Sequence, residues 1–250
     1  MDGAPRRALE KPNTGRNFSQ TIRKGIVTNM TETWTMRLQF ALHRAVGKLS
    51  YGMVHFRHPL RHETWLAATQ LPSRIPTAST PLECAEIFQL ARACEKVRGD
   101  MAEVGVFRGG TAAVMLAASP TKRLHLFDTF EGLPHGDGQF AKGEYFGSLA
   151  DVQANLAQWL NRLEFHPGLF PQSVPASLDA RFSFVHLDLD LYDSTLAALE
   201  WFWPRLEKGG VLLSHDYPFS DGVVKAFDEF FRGKSETFFP LAGNQCMAVK

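Results

Sequence analysis

The sequence contains few cysteines and no long apolar run, and both absences narrow the kinds of protein it encodes. Three cysteines in 250 residues, Cys84, Cys94 and Cys246, are too few to staple the chain and lack a metal-binding spacing, so we expect reduced thiols in a core. No stretch approaches the roughly 18 to 20 apolar residues of a membrane helix, and residues 1–30 lack the apolar segment of a signal peptide. We therefore expect no membrane span and a cytoplasmic location.

Charge is unevenly distributed along the chain, although its net charge is only +1. Residues 1–62 contain 11 Lys and Arg but 3 Asp and Glu, whereas the remainder contains 16 and 23. Residues 1–30 have no hydrophobic period and are predicted to form a basic, disordered or loop arm. Such an arm suits an anionic partner, but it lacks the regular alternation of basic and aromatic residues, so we expect no nucleic acid.

An amphipathic helix is predicted where apolar residues recur at helical spacing between Trp34 and Leu49. Its apolar face has four candidate roles: packing on the main domain, contact in a homodimer, a lid over substrate, or attachment to a membrane surface. Three prolines between Pro72 and Pro81 predict a linker or turn. We therefore predict a helical N-terminal extension over residues 31–80, acting as a lid or dimer contact.

Strands and helices alternate from Pro81 to the end, at residue 250. The predicted strands are Met101–Val106, Arg123–Phe127, Leu163–His166, Phe182–Leu187, Val211–Ser214, Phe238–Leu241 and Gln245–Val249. The predicted helices are Pro81–Lys96, Thr111–Ala118, Leu149–Leu160, Ser194–Leu206 and Val223–Phe231. This order predicts an α/β domain over residues 81–250, with a mostly parallel seven-stranded, Rossmann-like sheet and a C-terminal antiparallel hairpin at one edge. Ligands of such sheets bind at the carboxyl ends of the strands.

The first motif, EVGVFRGGT at residues 103–111, leaves a strand and opens a helix. Gly105, Gly109 and Gly110 let the backbone pass close to a ligand, although a structural turn between strand and helix looks the same. The spacing departs from the GxGxxG pattern of dinucleotide sites. The acid Glu103 suits a zwitterionic ligand with a positive amino group, such as the methionine part of S-adenosylmethionine.

The second motif, HLFDTFEGLP at residues 125–134, ends a strand at Asp128. An acid at the end of the second strand of a Rossmann-like sheet faces a ribose and accepts hydrogen bonds from its hydroxyls. Asp128 follows Gly110 by 18 residues, a spacing that a simple turn cap leaves unexplained. Together, the two motifs predict a nucleoside-type ligand.

Two further strand ends carry titratable side chains: Asp188 and Asp190 in FVHLDLDLYDST, and His215 and Asp216 in LLSHDYPF. Adjacent strands lie about 4.8 Å apart, so the four side chains are expected to converge. In one interpretation two or three of these carboxylates and a substrate hydroxyl bind Mg²⁺, which lowers the pKa of that hydroxyl. In the other, His215 accepts the substrate proton directly and a carboxylate orients its ring. Helix capping and backbone hydrogen bonds by these acids are a third interpretation.

A glycine-rich segment over residues 135–150 follows the second motif. We predict that it forms a lid, because short glycine-bearing loops beside a cofactor often close on substrate and exclude water. His135, Lys142 and Tyr145 are candidates for substrate contact.

The chain resembles the macrocin O-methyltransferase family of bacterial natural-product and sugar methyltransferases. The resemblance runs from about Pro81 to Lys250 through EVGVFRGG, FDTFEGLP, HLDLDLYDSTLAALEWFWPRL, GGVLLSHDY and GNQCMAVK. It implies a class I methyltransferase fold, an S-adenosylmethionine donor, often a magnesium ion, and methylation of a hydroxyl on a small-molecule acceptor such as a sugar or natural product.

The resemblance also implies roles for individual residues. In the family an aspartate metal ligand stands at the position of Asp188, a base at that of Asp190, and a pair of aspartates at those of His215 and Asp216. The resemblance therefore implies a metal site of Asp188, His215 and Asp216 in this chain. This chain departs from the pattern at His215, because imidazole is a poor magnesium ligand and suits transition metals better. A hydroxylase or another metal-dependent oxidoreductase on the same fold is the alternative function.

Overall fold

A computed structural model of the protein describes residues 62–250, in which seven strands form one sheet. The predicted basic arm and the helix predicted over residues 34–49 lie outside these residues. The helices are α1 (His62–Arg74), α2 (Pro81–Ala93), α3 (Gly110–Ala118), α4 (Leu149–Asn155), α5 (Tyr192–Phe202) and α6 (Asp221–Phe231). The strands are β1 (Asp100–Val104), β2 (Leu124–Asp128), β3 (Leu163–Pro167), β4 (Phe182–Leu187), β5 (Leu206–His215), β6 (Phe238–Pro240) and β7 (Gln245–Val249). Short 3-10 turns cover Cys94–Lys96, Ala157–Arg162 and Trp203–Arg205.

The order of the strands confirms the predicted parallel sheet with an antiparallel edge. Across the sheet they run β3-β2-β1-β4-β5-β7-β6. Strands β1 to β5 pair in parallel, whereas β7 pairs antiparallel with both β5 and β6. The chain winds from β1 outward to β3, then returns to β4 and winds the other way. The gap between the carboxyl ends of β1 and β4 is therefore the topological switch point, where ligands of such sheets bind.

Apolar side chains are buried on both faces of the sheet. Met101 and Phe184 belong to one buried cluster, together with residues of α2 and α3, whereas Ala102 and Val185 belong to a second cluster with residues of α5 and α6. Successive residues of a strand point to opposite faces, so a strand covered on both sides is apolar throughout. Because side chains pack against both faces of the sheet, the positions of the strand ends are well defined.

Helix α1 packs on the same core, through Ala67 and Ala68. It continues to Arg74 with Pro72 inside its last turn, so the linker predicted from Pro72 onward begins later than expected. Proline lacks a backbone N–H and is poorly tolerated inside helices, which is why the three prolines predicted a break. Helix α2 then begins at the predicted Pro81, with Thr80 as its N-cap.

Several helix bounds differ from the prediction by one to three residues, and two helices end four or five residues earlier than predicted. Helix α4 ends at Asn155 and passes into the 3-10 turn 157–162, rather than continuing to Leu160. Helix α5 ends at Phe202, and the predicted helical residue Leu206 instead begins strand β5. Pro204 explains the second difference, because proline removes a helical hydrogen bond and clashes with the preceding turn.

The prediction that the cysteines lie in a core is confirmed within residues 62–250. The cysteines Cys84, Cys94 and Cys246 are unpaired and buried. None of the helices in this part of the chain is long and apolar enough to span a bilayer.

Candidate active site

A glycine turn brings the end of β1 against the end of β4. Gly105 has a φ of +85°, and a Cβ atom there would lie 1.8 Å from the carbonyl oxygen of Asp188. The backbone N–H of Asp188 donates to the carbonyl of Val104 over 2.9 Å. Only glycine fits this close approach, so the glycine turn and Asp188 meet at the switch point.

The other two glycines of the motif shape the start of α3. Gly109 is the N-cap of that helix, with a left-handed φ of +85°. A Cβ at Gly110 would lie 2.6 Å from the Cβ of Thr77 and 2.7 Å from the carbonyl oxygen of Pro76. Packing alone therefore requires Gly110, and its predicted contact with a cofactor stays a prediction.

Asp128 fastens the glycine turn to the end of β2. Its Oδ2 accepts hydrogen bonds from the backbone N–H groups of Val106 and Phe107 at 2.6 and 3.1 Å, and its Oδ1 accepts one from Phe130 at 2.7 Å. Burial raises the pKa of this carboxyl, against the effect of these hydrogen bonds. The Thr129 hydroxyl also lies 3.4 Å from Oδ1, but its one proton has a shorter bond to the carbonyl of Gly132, at 2.8 Å. An ionised carboxylate has about four acceptor positions, so the three backbone donors leave room for a ribose hydroxyl.

Glu103 lies inside the sheet rather than at its edge. The side chain is fully buried, and its Oε1 lies 2.9 Å from Nδ1 of His186, the neighbouring residue on β4. Burial raises the pKa of Glu103 in spite of this partner. The predicted contact with a cofactor amino group stays a prediction, since Glu103 has a structural partner here.

Four residues converge at the carboxyl ends of β4 and β5, and we call Asp188, Asp190, His215 and Asp216 the acidic cluster. Nδ1 of His215 lies 3.2 Å from Oδ1 of Asp188 and 3.0 Å from Oδ1 of Asp216. These ligand atoms all lie within 4.8 Å of one another. The strand ends therefore bring these side chains together, as the sequence predicted.

The His215 ring is enclosed by carboxylates on both sides. The residue is 7% exposed, and its Nε2 lies 3.5 Å from Oε2 of Glu83, on α2. Neither ring nitrogen makes a hydrogen bond of acceptable geometry, although each is buried. Nδ1 thus lies between two carboxylate oxygens, where it can pair with them when the ring is protonated or share a cation with them when the ring is neutral.

Glu83 is the functional candidate that sequence reasoning missed. It closes a capping box at the start of α2, where its Oε2 accepts the backbone N–H of Thr80 at 2.6 Å. Its Oε1 accepts the backbone N–H of Asn244 at 3.1 Å. The capping pattern accounts for a glutamate at this position, so no sequence signal connects it with His215.

Two of the clustered acids have strained backbones. Asp190 and Asp216 have φ values of +60° and +62°. Non-glycine residues adopt this region at a cost of about 1 to 3 kcal/mol, and such strain concentrates at functional sites. Both residues are about 5% exposed or less, and Asp190 also accepts a hydrogen bond at its backbone carbonyl from Ser220 Oγ, at 2.6 Å.

Burial and charge pairing set the protonation of the cluster. Burial and the neighbouring carboxylates of Asp216 and Asp188 raise the pKa of Asp190 well above its usual value. Burial would lower the pKa of His215, but the same two carboxylates outweigh it and raise that pKa well above its usual value. For Asp188, burial raises the pKa, but the charge of His215 outweighs it, so the pKa is lowered.

The predicted lid segment lies beside the cluster. Backbone hydrogen bonds of 2.9 Å join Leu133 with Gly143 and with Glu144, and the Gln139 amide donates to the carbonyl of Phe219, after β5, at 2.9 Å. Burial and the negative charges of the three clustered aspartates raise the pKa of Tyr145. Tyr145, one of the three candidate substrate contacts, therefore lies within electrostatic reach of the acidic cluster.

A second group of potential ligands lies away from these strand ends, and we call His125, Glu164 and His166 the histidine cluster. Its ligand atoms also lie within 4.8 Å of one another. Nδ1 of His125 lies 3.1 Å from Nε2 of His166 and 3.4 Å from Oε2 of Glu164. Nε2 of His125 lies 3.3 Å from Oδ2 of Asp100.

The comparisons with known proteins point to one family. A family model described as Macrocin-O-methyltransferase (TylF) matches residues 85–243. The 8-demethyl-8-(2,3-dimethoxy-alpha-L-rhamnosyl)-tetracenomycin-C 4'-O-methyltransferase of Streptomyces olivaceus is 35% identical over 48% of this chain and 54% of its own length. The mycinamicin III 3''-O-methyltransferase of Micromonospora griseorubida is 29% identical over 48% of this chain and 56% of its own length. The chain thus spans about half the length of the curated relatives it matches.

Solved structures share the fold. The O-methyltransferase NovP superposes with a TM-score of 0.63 at 19% identity, covering 76% of this chain and 97% of that one. CalS11, described as a TDP-rhamnose 3'-O-methyltransferase, superposes with a TM-score of 0.52 at 22% identity, covering 77% and 95%. At these identities the likeness establishes a class I Rossmann-like methyltransferase fold.

Proposed function

The chain belongs to the macrocin O-methyltransferase family, and from this premise we propose that it transfers the methyl group of S-adenosylmethionine to a hydroxyl of a small molecule. One observation carries the proposal: the glycine turn at Gly105 touches Asp188 at the switch point, beside His215 and Asp216. A cofactor crevice and an acidic cluster therefore share one edge of the sheet. The reaction belongs in the cytoplasm, where buried reduced cysteines persist.

The cofactor half of the site consists of the glycine turn and Asp128. We assign the ribose hydroxyls to Asp128, because its carboxylate lies at the end of β2 and retains acceptor capacity beyond its three backbone donors. The backbone of Gly105 and Gly109 passes close to the ligand without side chains. Glu103 supports this half from inside the sheet through its contact with His186.

The acceptor half of the site uses Asp190 as base. When the acceptor oxygen attacks, the O–CH₃ bond forms and the S–CH₃ bond breaks, giving a methyl ether and S-adenosylhomocysteine. The hydroxyl proton passes to the carboxylate of Asp190. The geometry disfavours His215 as the base, because both its ring nitrogens face carboxylates rather than open space.

A divalent cation fits the acidic cluster. Asp188, His215 and Asp216 would hold it, since their ligand atoms lie 3.0 and 3.2 Å apart around a buried nitrogen that lacks a hydrogen bond. Adjacent ligands of an octahedral ion with bonds near 2.1 Å are about 3 Å apart. When bound, such an ion would lower the pKa of the acceptor hydroxyl and orient it.

The acceptor class we propose is a sugar hydroxyl on a natural product or on its activated sugar. One similar protein is named for a rhamnosyl tetracenomycin, and a solved structure with the same fold is named for a TDP-rhamnose. Tyr145 and the segment over residues 135–150 would cover this acceptor and exclude water.

Calorimetric titration with S-adenosylhomocysteine tests the proposal most directly. We expect saturable binding, and Asp128→Ala should weaken it by at least about 1 kcal/mol, the scale of a lost hydrogen bond to a charged group. Glu131→Ala, on the exposed loop after β2, serves as the matched control and should leave affinity unchanged. Absence of binding heat, or oxygen uptake by the protein without S-adenosylmethionine, would overturn methyl transfer in favour of the oxidoreductase alternative.

A further inference from the structure

Glu83 is placed to act on the acidic cluster through His215. Its Oε2 lies 3.5 Å from Nε2 of His215, while Nδ1 of the same ring faces Asp188 and Asp216. Glu83 is 1% exposed, so its negative charge has little access to water. A carboxylate behind a ligating imidazole fixes the orientation of the ring and raises the basicity of its ligating nitrogen.

Glu83 is held rigidly, as an orienting residue must be. Its Oε2 accepts the backbone N–H of Thr80, and its Oε1 accepts that of Asn244, in the turn between β6 and β7. The carboxylate is therefore fixed from both the start of α2 and the far edge of the sheet. Both backbone donors favour the ionised carboxylate.

The ligand set on the other side of the ring contains one imidazole nitrogen and two carboxylate oxygens. Magnesium prefers oxygen ligands throughout, whereas imidazole suits later first-row ions such as Fe²⁺, Co²⁺, Ni²⁺ and Zn²⁺. Nδ1 of His215 is buried between the carboxylates of Asp188 and Asp216, at 3.2 and 3.0 Å, but makes no hydrogen bond of acceptable geometry with either, so an ion placed there would meet all three atoms.

We propose that Glu83 is a positioning residue that presents Nδ1 of His215 to the acidic cluster, and that the resulting site selects a first-row transition ion over Mg²⁺. The proposal rests on the proposed function, because it assigns the identity of the ion at the same site. It departs from the magnesium expected of the family, and the reason is the histidine at position 215.

Metal binding to the full chain, without cofactor or acceptor, tests the proposal separately from methyl transfer. Affinities for Co²⁺ and Mg²⁺ are measured by calorimetry on the wild type and on His215→Asp. The ratio of Co²⁺ to Mg²⁺ affinity should fall at least about tenfold in the variant, since an imidazole ligand becomes a carboxylate. Electron spin-echo spectra of bound Mn²⁺ should show one coupled nitrogen in the wild type and none in His215→Asp.

Glu83→Gln and Thr80→Ala separate positioning from helix capping. Both substitutions disturb the capping box, so both should lower the melting temperature. Only Glu83→Gln should weaken Co²⁺ binding, by about 10- to 100-fold, because only it removes the charge behind His215. S-adenosylhomocysteine affinity should stay unchanged in both variants, so its loss would implicate the cofactor site instead.

Three results would overturn the proposal. Equal loss of Co²⁺ affinity in Glu83→Gln and Thr80→Ala would make Glu83 a cap alone. An unchanged affinity ratio in His215→Asp, or no nitrogen coupled to Mn²⁺ in the wild type, would remove His215 from the ligand set. The last two measurements do not depend on whether Glu83→Gln folds, and methyl transfer could survive either of them.

Discussion

The acidic cluster and the histidine cluster each gather three potential metal ligands within 4.8 Å, yet their surroundings differ. In the acidic cluster, Nδ1 of His215 is buried without a hydrogen bond. In the histidine cluster, Nδ1 of His125 has His166 at 3.1 Å, and its Nε2 has Asp100 at 3.3 Å. The potential ligands lie close together in both clusters. The clusters differ in whether the histidine nitrogens already make hydrogen bonds within the protein.

Their positions in the sheet explain the difference. Asp188 follows the end of β4 and His215 ends β5, beside the switch point where parallel strands leave room for a ligand. His125 and His166 lie within β2 and β3, and Phe127 stacks on the ring of His166 with centroids 4.3 Å apart. Side chains inside a sheet face must satisfy one another, whereas those at strand ends can be reserved for a ligand.

The largest expected effect contrasts one acid from each cluster. Asp188→Asn should reduce methyl-transfer turnover by about 10²- to 10³-fold while leaving S-adenosylhomocysteine affinity nearly intact, because it removes charge at the acceptor side only. Glu164→Gln, the matched change in the histidine cluster, should leave turnover unchanged. Steady-state kinetics and calorimetry measure both. Equal losses of turnover in the two variants would erase the distinction between the clusters.

The strand-end predictions succeeded because the alternation of strands and helices leaves few topologies. A parallel sheet places the ends of β4 and β5 together whatever the loops do, so Asp188, His215 and Asp216 could be brought together from sequence. Gly105 was identified for the same reason, although its contact with the Asp188 carbonyl needs the register of β1 and β4.

The sequence could not reveal a contact between distant residues when a local role already explained why each residue is there. Glu83 satisfies a capping box, so its second role toward His215, 132 positions later, leaves no pattern. His125 and His166 are both buried side chains on neighbouring strands, and nothing in the sequence indicates that their rings pair with each other. The ends of α5, at Phe202, and of α1, at Arg74, differ from the prediction because a proline can either end a helix or lie inside its last turn.

An intermediate effect concerns the close approach that joins the cofactor turn to the acidic cluster. Gly105→Ala would place a Cβ 1.8 Å from the Asp188 carbonyl, so β1 and β4 must separate. Gly233, at φ +77° with nothing within 4 Å of its Cβ position, is the control for backbone strain alone. Gly105→Ala should lower the free energy of unfolding by about 1 to 3 kcal/mol more than Gly233→Ala does.

Urea denaturation measures that difference in stability, and calorimetry should show lost S-adenosylhomocysteine binding in Gly105→Ala only. Equal destabilisation by the two substitutions would mean that separating the ends of β1 and β4 costs no free energy. The contact between the glycine turn and Asp188 would then have no role in shaping the site.

The smallest expected effect tests the histidine cluster as a purely structural feature. His166→Leu removes the partner of His125 and should lower the free energy of unfolding by about 1 to 2 kcal/mol at neutral pH, with turnover and Co²⁺ binding unchanged. Urea denaturation measures the stability. A loss of turnover with normal stability would show that this cluster also has a functional role.

The same substitution has a pH signature of defined sign. Burial, and secondarily the positive charge of His125, lower the pKa of His166, so the folded protein keeps this ring neutral. Below about pH 6.5, the usual histidine value, the unfolded chain binds a proton that the folded chain does not, and stability falls with decreasing pH. His166→Leu removes this contribution, so its stability should decline less than that of the wild type between about pH 7 and about pH 5. Parallel curves for the two proteins would show that His166 titrates alike in both states, and the two clusters would then differ less than their hydrogen bonds indicate.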